Sequence, residues 1–114
     1  MQVSTSLESG IPVLRLEGKL DGRTTELLEA ALKTLWDRGE YRAVLDCAGL
    51  RYVSSAGLQT FLVAGKVAEA NHGRLVFCGL GAFMGEIFAM TRLDRVFAVY
   101  LSVADAVKSY TRSN

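Results

Sequence analysis

Two adjacent hydroxyl groups, on Ser54 and Ser55, stand where a strand-like run gives way to a helix-like run. The first four N–H groups of a helix have no partner within it. The aligned peptide dipoles also make that end electropositive. A negative group on Ser54 or Ser55 is therefore well tolerated by the domain itself.

Phosphorylation at this point would change what can dock there. It adds about −1.5 to −2 charges and three acceptor oxygens. The domain could absorb that group with little distortion, whereas a protein docked over the helix end would meet new bulk and charge. The stretch also fits plain helix capping, with Ser54 as N-cap and Ser55 in the first turn. The two interpretations are compatible, since one serine can cap while the next is modified.

The remaining polar residues suggest no catalytic set. His72 is the only histidine, and it lies in a helix-ending composition. Asp21 and Asp46 fall at strand ends without a base or metal ligand nearby. Gly79 and Gly81 lack both the GxGxxG spacing and the P-loop Lys-Ser/Thr pair. We therefore expect no enzyme activity, no cofactor and no metal.

The two cysteines, Cys47 and Cys78, do not have the spacing of a zinc ribbon or a CxxC redox pair. Both fall at the ends of apolar runs. We expect two buried thiols in a reducing compartment.

Composition points to one ordered domain over residues 1–114. Half of the residues are hydrophobic and the formal net charge is +1. That balance gives no general attraction to nucleic acid or to a membrane surface. The first ten residues are polar and mixed, and no apolar run approaches the ~20 residues needed to span a bilayer. We expect a cytoplasmic protein.

Hydrophobic periodicity predicts a mixed, mostly parallel sheet of about five strands with four helices, in the order β-β-α-β-α-β-α-β-α. The predicted strands are 2–7, 11–18, 41–46, 74–78 and 96–100, and the predicted helices are 24–38, 55–71, 83–91 and 102–110. Thr24 or Thr25 is expected to cap the first helix, Gly39 to end it, and Gly73 to end the second. Within the third helix, Ile87 and Phe88 are expected in the core. Phe83 and Met84 are the better surface candidates.

Three segments, in order, make the chain resemble the STAS domain of bacterial anti-sigma factor antagonists. Gly18–Asp21 resembles the family's Gly-x-hydrophobic-Asp, and 44–58 resembles its strand, loop and Asp-Ser-Ser/Thr-Gly-hydrophobic signature. The stretch 87–97 resembles the pattern before its last strand. In the signature, Ser54 stands where the family has Asp, and Ala56 stands where it has Ser or Thr.

The resemblance implies a mechanism of partner switching. An unphosphorylated antagonist binds a serine kinase that is also an anti-sigma factor, which frees the sigma factor. The kinase then phosphorylates the antagonist, and a PP2C-type serine phosphatase resets it. The implied acceptor is Ser55, with Ser54 as second choice, and the protein is expected to be a monomer or weak dimer. The implied partner-binding residues are Asp21, Ser54, Ser55, Ala56, Gly57 and Leu58.

Two of these residues have a second interpretation. Asp21 could equally be a turn or cap residue for the following helix. Gly57 fits tight packing of its helix on the sheet better than close approach of a partner. Other functions also stay open: a scaffold in a stressosome-like assembly, an accessory STAS subunit of a transport complex, and a nucleotide-binding protein.

Overall fold

The strands form a single sheet in the order in which they occur in the chain, and the computed structural model describes residues 1–111. The strands are β1 (Gln2–Glu8), β2 (Ile11–Leu20), β3 (Arg42–Val53), β4 (Arg74–Cys78) and β5 (Ala98–Tyr100). The helices are α1 (Thr25–Asp37), α2 (Ser55–Ala70), α3 (Ala82–Met90), α4 (Leu93–Val96) and α5 (Val103–Thr111).

A tight hairpin starts the sheet. Ser9 and Gly10 both have positive φ, 53° and 80°, as a two-residue turn between antiparallel strands requires. The other pairs, β2–β3, β3–β4 and β4–β5, are parallel and are joined by helical crossovers. The predicted α/β class with a mixed, mostly parallel sheet is confirmed.

Helices cover both faces of the sheet. Because side chains alternate along a strand, Leu14 and Leu45 face one side while Val13 and Val44 face the other. The first side packs against α1, α2 and α3 in the larger core cluster. In this cluster the rings of Phe61 and Phe77 pack edge to face, with their centroids 4.9 Å apart. The second side packs against α5.

Strands β2 and β3 both run further than the sequence pattern predicts. Their register shifts between Arg15 and Glu17 and again between Gly18 and Lys19. Gly18 has a φ of +105°, which a residue with a side chain rarely adopts. These irregularities let both strands continue until Leu20 pairs with Val53, and so the ends of the two strands lie side by side.

Three local predictions need correction. The four-residue helix α4 was not predicted and replaces the start of the expected last strand, because Leu93 turns into the core there. Met84 is buried, whereas Phe83 is half exposed. Gly73 was expected to end α2, but the residue with left-handed backbone there is His72 (φ 67°). Position 73 requires glycine for a different reason, because a Cβ would lie 2.1 Å from the Tyr41 carbonyl oxygen.

Candidate functional site

The ends of β2 and β3 bring two loops together. The Ser54 N–H donates to the Leu20 carbonyl oxygen at 2.9 Å. Asp21 follows Leu20 directly, so Asp21 and the start of α2 are neighbours although they are far apart in sequence. Register also pairs Lys19 with Tyr52 just before this point.

Ser54 is the N-cap of α2. Its backbone is extended (φ −91°, ψ 175°), and its hydroxyl oxygen accepts a hydrogen bond from the Gly57 N–H at 3.3 Å. Its carbonyl accepts the first helical bond, from the Leu58 N–H at 3.0 Å. The side chain is half-buried. The hydroxyl therefore satisfies one of the otherwise unpaired N–H groups of the helix.

Ser55 is the first residue of α2, and it is exposed, as is Ala56 after it. Its position is that of a side chain at the electropositive end of a 16-residue helix. A phosphoryl group attached there would project into solvent next to unpaired backbone N–H groups. The geometry thus separates the two serines, with one holding the cap and the other open to a second protein.

Asp21 shapes the turn that starts α1. Its Oδ1 accepts a hydrogen bond from the Arg23 N–H at 2.9 Å, and its carbonyl accepts from the Thr24 and Thr25 N–H groups at 3.0 Å. Thr24 occupies the N-cap position, where its hydroxyl accepts from the Asp21 N–H at 2.9 Å and donates to the Lys19 carbonyl at 2.8 Å. Asp21 is half-buried, so part of it also reaches the surface beside α2.

Gly57 is buried, and its smallness is a packing requirement. A Cβ at this position would lie 2.6 Å from Val53 Cγ2 and 3.0 Å from Leu20 Cγ. Leu58 is half-buried and packs against the larger core cluster. These two residues fix how closely the start of α2 sits on the strand ends, and so they set the position of Ser55.

The two strand ends and the turn after β2 carry exposed residues that motif matching did not single out. Lys19, Arg23 and Arg51 are exposed, and Tyr52 is 43% exposed. Each lies two or three residues along the chain from Asp21 or Ser54. Their chain positions were visible in the sequence, but the β2–β3 register was needed to show that Lys19 lies beside Tyr52.

The two thiols do not form a reactive pair. Cys47 and Cys78 are both buried and free, and they belong to clusters on opposite faces of the sheet. Burial raises the pKa of Cys47, and it raises the pKa of Cys78 to about 12. As thiolates are the reactive form, both are chemically quiet at neutral pH.

Over residues 1–111, no group of three or more His, Cys, Asp or Glu side chains is arranged to hold a metal ion. Within the same residues, every helix is too short or too polar to cross a bilayer.

Fold and site together define a small α/β domain that offers a hydroxyl at an exposed helix start. The family described as "Mlab, STAS domain" matches residues 3–102. BtrV, a candidate anti-sigma factor antagonist of Bordetella bronchiseptica, is 34% identical over 99 residues, which are 87% of this chain and 85% of BtrV. An anti-sigma F factor antagonist of Paenibacillus polymyxa is 21% identical over 94% of this chain and 92% of its own length.

Solved structures agree on the fold. An anti-sigma factor antagonist from Mycobacterium paratuberculosis superposes with a TM-score of 0.87 at 20% identity, covering 97% of this chain and 94% of its own. Unphosphorylated SpoIIAA superposes with a TM-score of 0.81 at 18% identity, covering 99% and 100%. The chain belongs to the STAS domain family of anti-sigma factor antagonists, whose members are regulatory, non-enzymatic binding proteins.

Proposed function

We propose that the chain, as one STAS domain over residues 1–114, is an anti-sigma factor antagonist controlled by phosphorylation of Ser55. Its partner is an anti-sigma factor with serine kinase activity, and binding that partner releases a sigma factor. Two observations support this: Ser55 is exposed at the start of α2, and the matched relatives are described as anti-sigma factor antagonists. The first of these carries the proposal.

The switch follows from electrostatics at one helix end. In the unmodified state the first turn of α2 carries no charged side chain, because Ser54 precedes Ser55 and the residues that follow it include Ala56 and Leu58. The kinase transfers the γ-phosphoryl group of ATP to Ser55 Oγ, ADP leaves, and the hydroxyl proton passes to the kinase. The new dianion is stabilised by the helix start within this domain. Across a docked interface it brings bulk and an unpaired charge, so the partner dissociates.

The neighbouring residues have separate parts in this proposal. Ser54 keeps the cap and is the second choice as acceptor. Asp21, Ala56 and Leu58 contribute contact surface next to the acceptor, whereas Gly57 acts through packing because it is buried. A PP2C-type serine phosphatase restores the binding state. The chain itself has no catalytic role, uses no cofactor and works in the cytoplasm.

A related protein of the same fold is known with and without a phosphate, which supports the proposal. SpoIIAA is known in an unphosphorylated form and, from Bacillus, in a phosphorylated form. These superpose on this chain with TM-scores of 0.81 and 0.74. The second comparison covers 96% of this chain, so a phosphorylated relative keeps the same fold.

Titration calorimetry with the purified partner kinase tests the proposal. Ser55→Glu is expected to weaken binding by about 100-fold or more, because a charge is buried against the partner. Ser55→Ala is expected to bind like the wild type and to stay bound when ATP is added. Thr34→Glu is the matched control, because it adds the same charge to an exposed position on α1. Thr34 lies nine residues, or about 13 Å along the helix axis, from the end of α1 that follows Asp21. Tight binding by Ser55→Glu would contradict the proposal.

Mass spectrometry separates the two serines. After incubation with the kinase and ATP, the phosphate is expected on Ser55 in the wild type, and Ser55→Ala is expected to remain unmodified. Phosphate on Ser54 in the wild type would assign the acceptor role to the capping residue instead.

A further inference from the structure

The two edges of the sheet differ in length and protection. The β5 edge has three residues, whereas the β1 edge has seven. Natural edge strands are usually shielded by lysine, proline or a bulge. Strand β1 contains neither Lys nor Pro, it pairs with β2 without a register shift, and five of its seven residues are exposed. This edge is therefore open to another strand.

The hairpin decides which backbone groups of β1 face outward. Glu8 and Ile11 flank the two-residue turn and form a hydrogen-bonded pair, as such turns require. Hydrogen-bonded pairs alternate with non-bonded ones, so Leu7 and Pro12 form a non-bonded pair, which suits a proline with no N–H. The outward N–H and C=O groups are consequently those of Val3, Thr5 and Leu7.

We propose that the β1 edge binds the β1 strand of a second copy of this chain, antiparallel and centred on Thr5. In this register Thr5 opposes its symmetry mate and Val3 opposes Leu7. Each outward residue then exchanges two backbone hydrogen bonds with the residue opposite. A two-fold axis through Thr5 engages all three outward residues and closes after two copies.

The side chains are complementary in the same register. Val3 is half-buried and Leu7 is 70% exposed, so the Val3–Leu7 pair covers apolar surface that the single chain leaves in water. Gln2 opposes Glu8, which places an amide donor against a carboxylate and opposes no two like charges. A lysine or an acid at position 5 would oppose its own symmetry mate, so a strand that carried one there would not pair with itself in this register.

A groove runs along the same strand. It encloses about 540 Å³ between β1 and α1, and Thr5, Leu7, Ala31 and Leu35 are among its lining residues. In the dimer, the Val3 and Leu7 side chains of the second strand would lie next to those of the first and lengthen the apolar surface beside this groove. The interface lies at the side of the sheet, whereas Ser55 follows β3, two strands further in. Dimer formation therefore leaves the phosphorylation site accessible.

Disulfide trapping of the full chain tests the register. Across the axis the Thr5 Cα atoms would be about 5.5 Å apart, which is within disulfide range. Thr5→Cys is therefore expected to form a covalent dimer under mild oxidation. Leu7→Cys is the matched control, on the same strand and the same face and fully reachable, but its symmetry mate lies about 14 Å away. It is expected to cross-link at least tenfold more slowly. The native thiols, being buried, contribute little background.

Sedimentation analysis provides an independent readout. The wild type is expected to pass from monomer to dimer as its concentration rises, and Thr5→Lys, which opposes two like charges across the axis, is expected to stay monomeric. Thr5→Val should retain the dimer. A wild type that is monomeric at about 1 mM, a folded Thr5→Lys that still dimerises, or equal cross-linking by the two cysteine variants would overturn the proposal. Cross-linking to some other protein but not to a second copy would also overturn it.

Discussion

Neighbouring serines with the same chemistry have different environments in this protein. The Ser54 oxygen is occupied by the Gly57 N–H, whereas Ser55 is exposed. Ser54→Ala removes the cap and is expected to lower the free energy of unfolding by about 1 kcal/mol. Ser54→Asp keeps the cap and adds a negative charge at the helix start, so this variant is expected to raise the free energy of unfolding by about 0.3–1 kcal/mol. Urea unfolding measures both changes.

Ser55→Ala is the control for that series. No cap is lost, so the free energy of unfolding is expected to change by less than about 0.5 kcal/mol. If Ser55→Ala were the destabilised variant and Ser54→Ala were not, the capping assignment would be wrong.

At the scale of the elements, two helical glycines have opposite environments. Gly57 would place a Cβ 2.6 Å from Val53 Cγ2, whereas a Cβ on Gly85 meets nothing within 4 Å. Gly57→Ala is expected to destabilise by about 1–3 kcal/mol, because crowding exceeds the gain in helix propensity. Gly85→Ala is expected to stabilise by up to about 1 kcal/mol. Thermal unfolding of both variants checks the pair, and a stabilised Gly57→Ala would show that α2 does not sit tightly on β2 and β3.

Sequence periodicity predicted the elements that have strong local signals. The strand at 74–78 and the start of α2 after Ser54 were predicted correctly, because a continuous apolar run and a capping residue mark them. Helix α4 was missed, since a four-residue helix has too few positions to show a period. Met84 was misassigned because the large apolar residues of this helix all look equally suited to the core.

At the scale of the whole molecule, the candidate site depends on register that no local pattern reveals. The motif identified Ser54 and Ser55 directly. That Asp21 lies beside them follows from the pairing of Leu20 with Val53, and this pairing depends on two irregularities in the β2–β3 ladder. The free β1 edge is likewise a property of strand order, which becomes visible only when all five strands are assembled.

Alkaline pH probes the assembled core, because two buried thiols and one partly buried phenol stay protonated in it. Burial raises the pKa of Cys47, and it raises those of Cys78 and Tyr110 to about 12. In the unfolded chain these groups ionise near pH 8.5 and 10. Below about pH 7.5 these groups are protonated in both states, so their contribution to stability is complete. As pH rises above 8.5, the unfolded state loses protons first, so the free energy of unfolding falls, by at most ~1.4 kcal/mol per pH unit for each group.

Urea midpoints under reducing conditions should drop between pH 7.5 and 9.5. The double variant Cys47→Ala, Cys78→Ala should lose most of that slope even if it is less stable throughout, and an unchanged slope would show that the thiols ionise without unfolding.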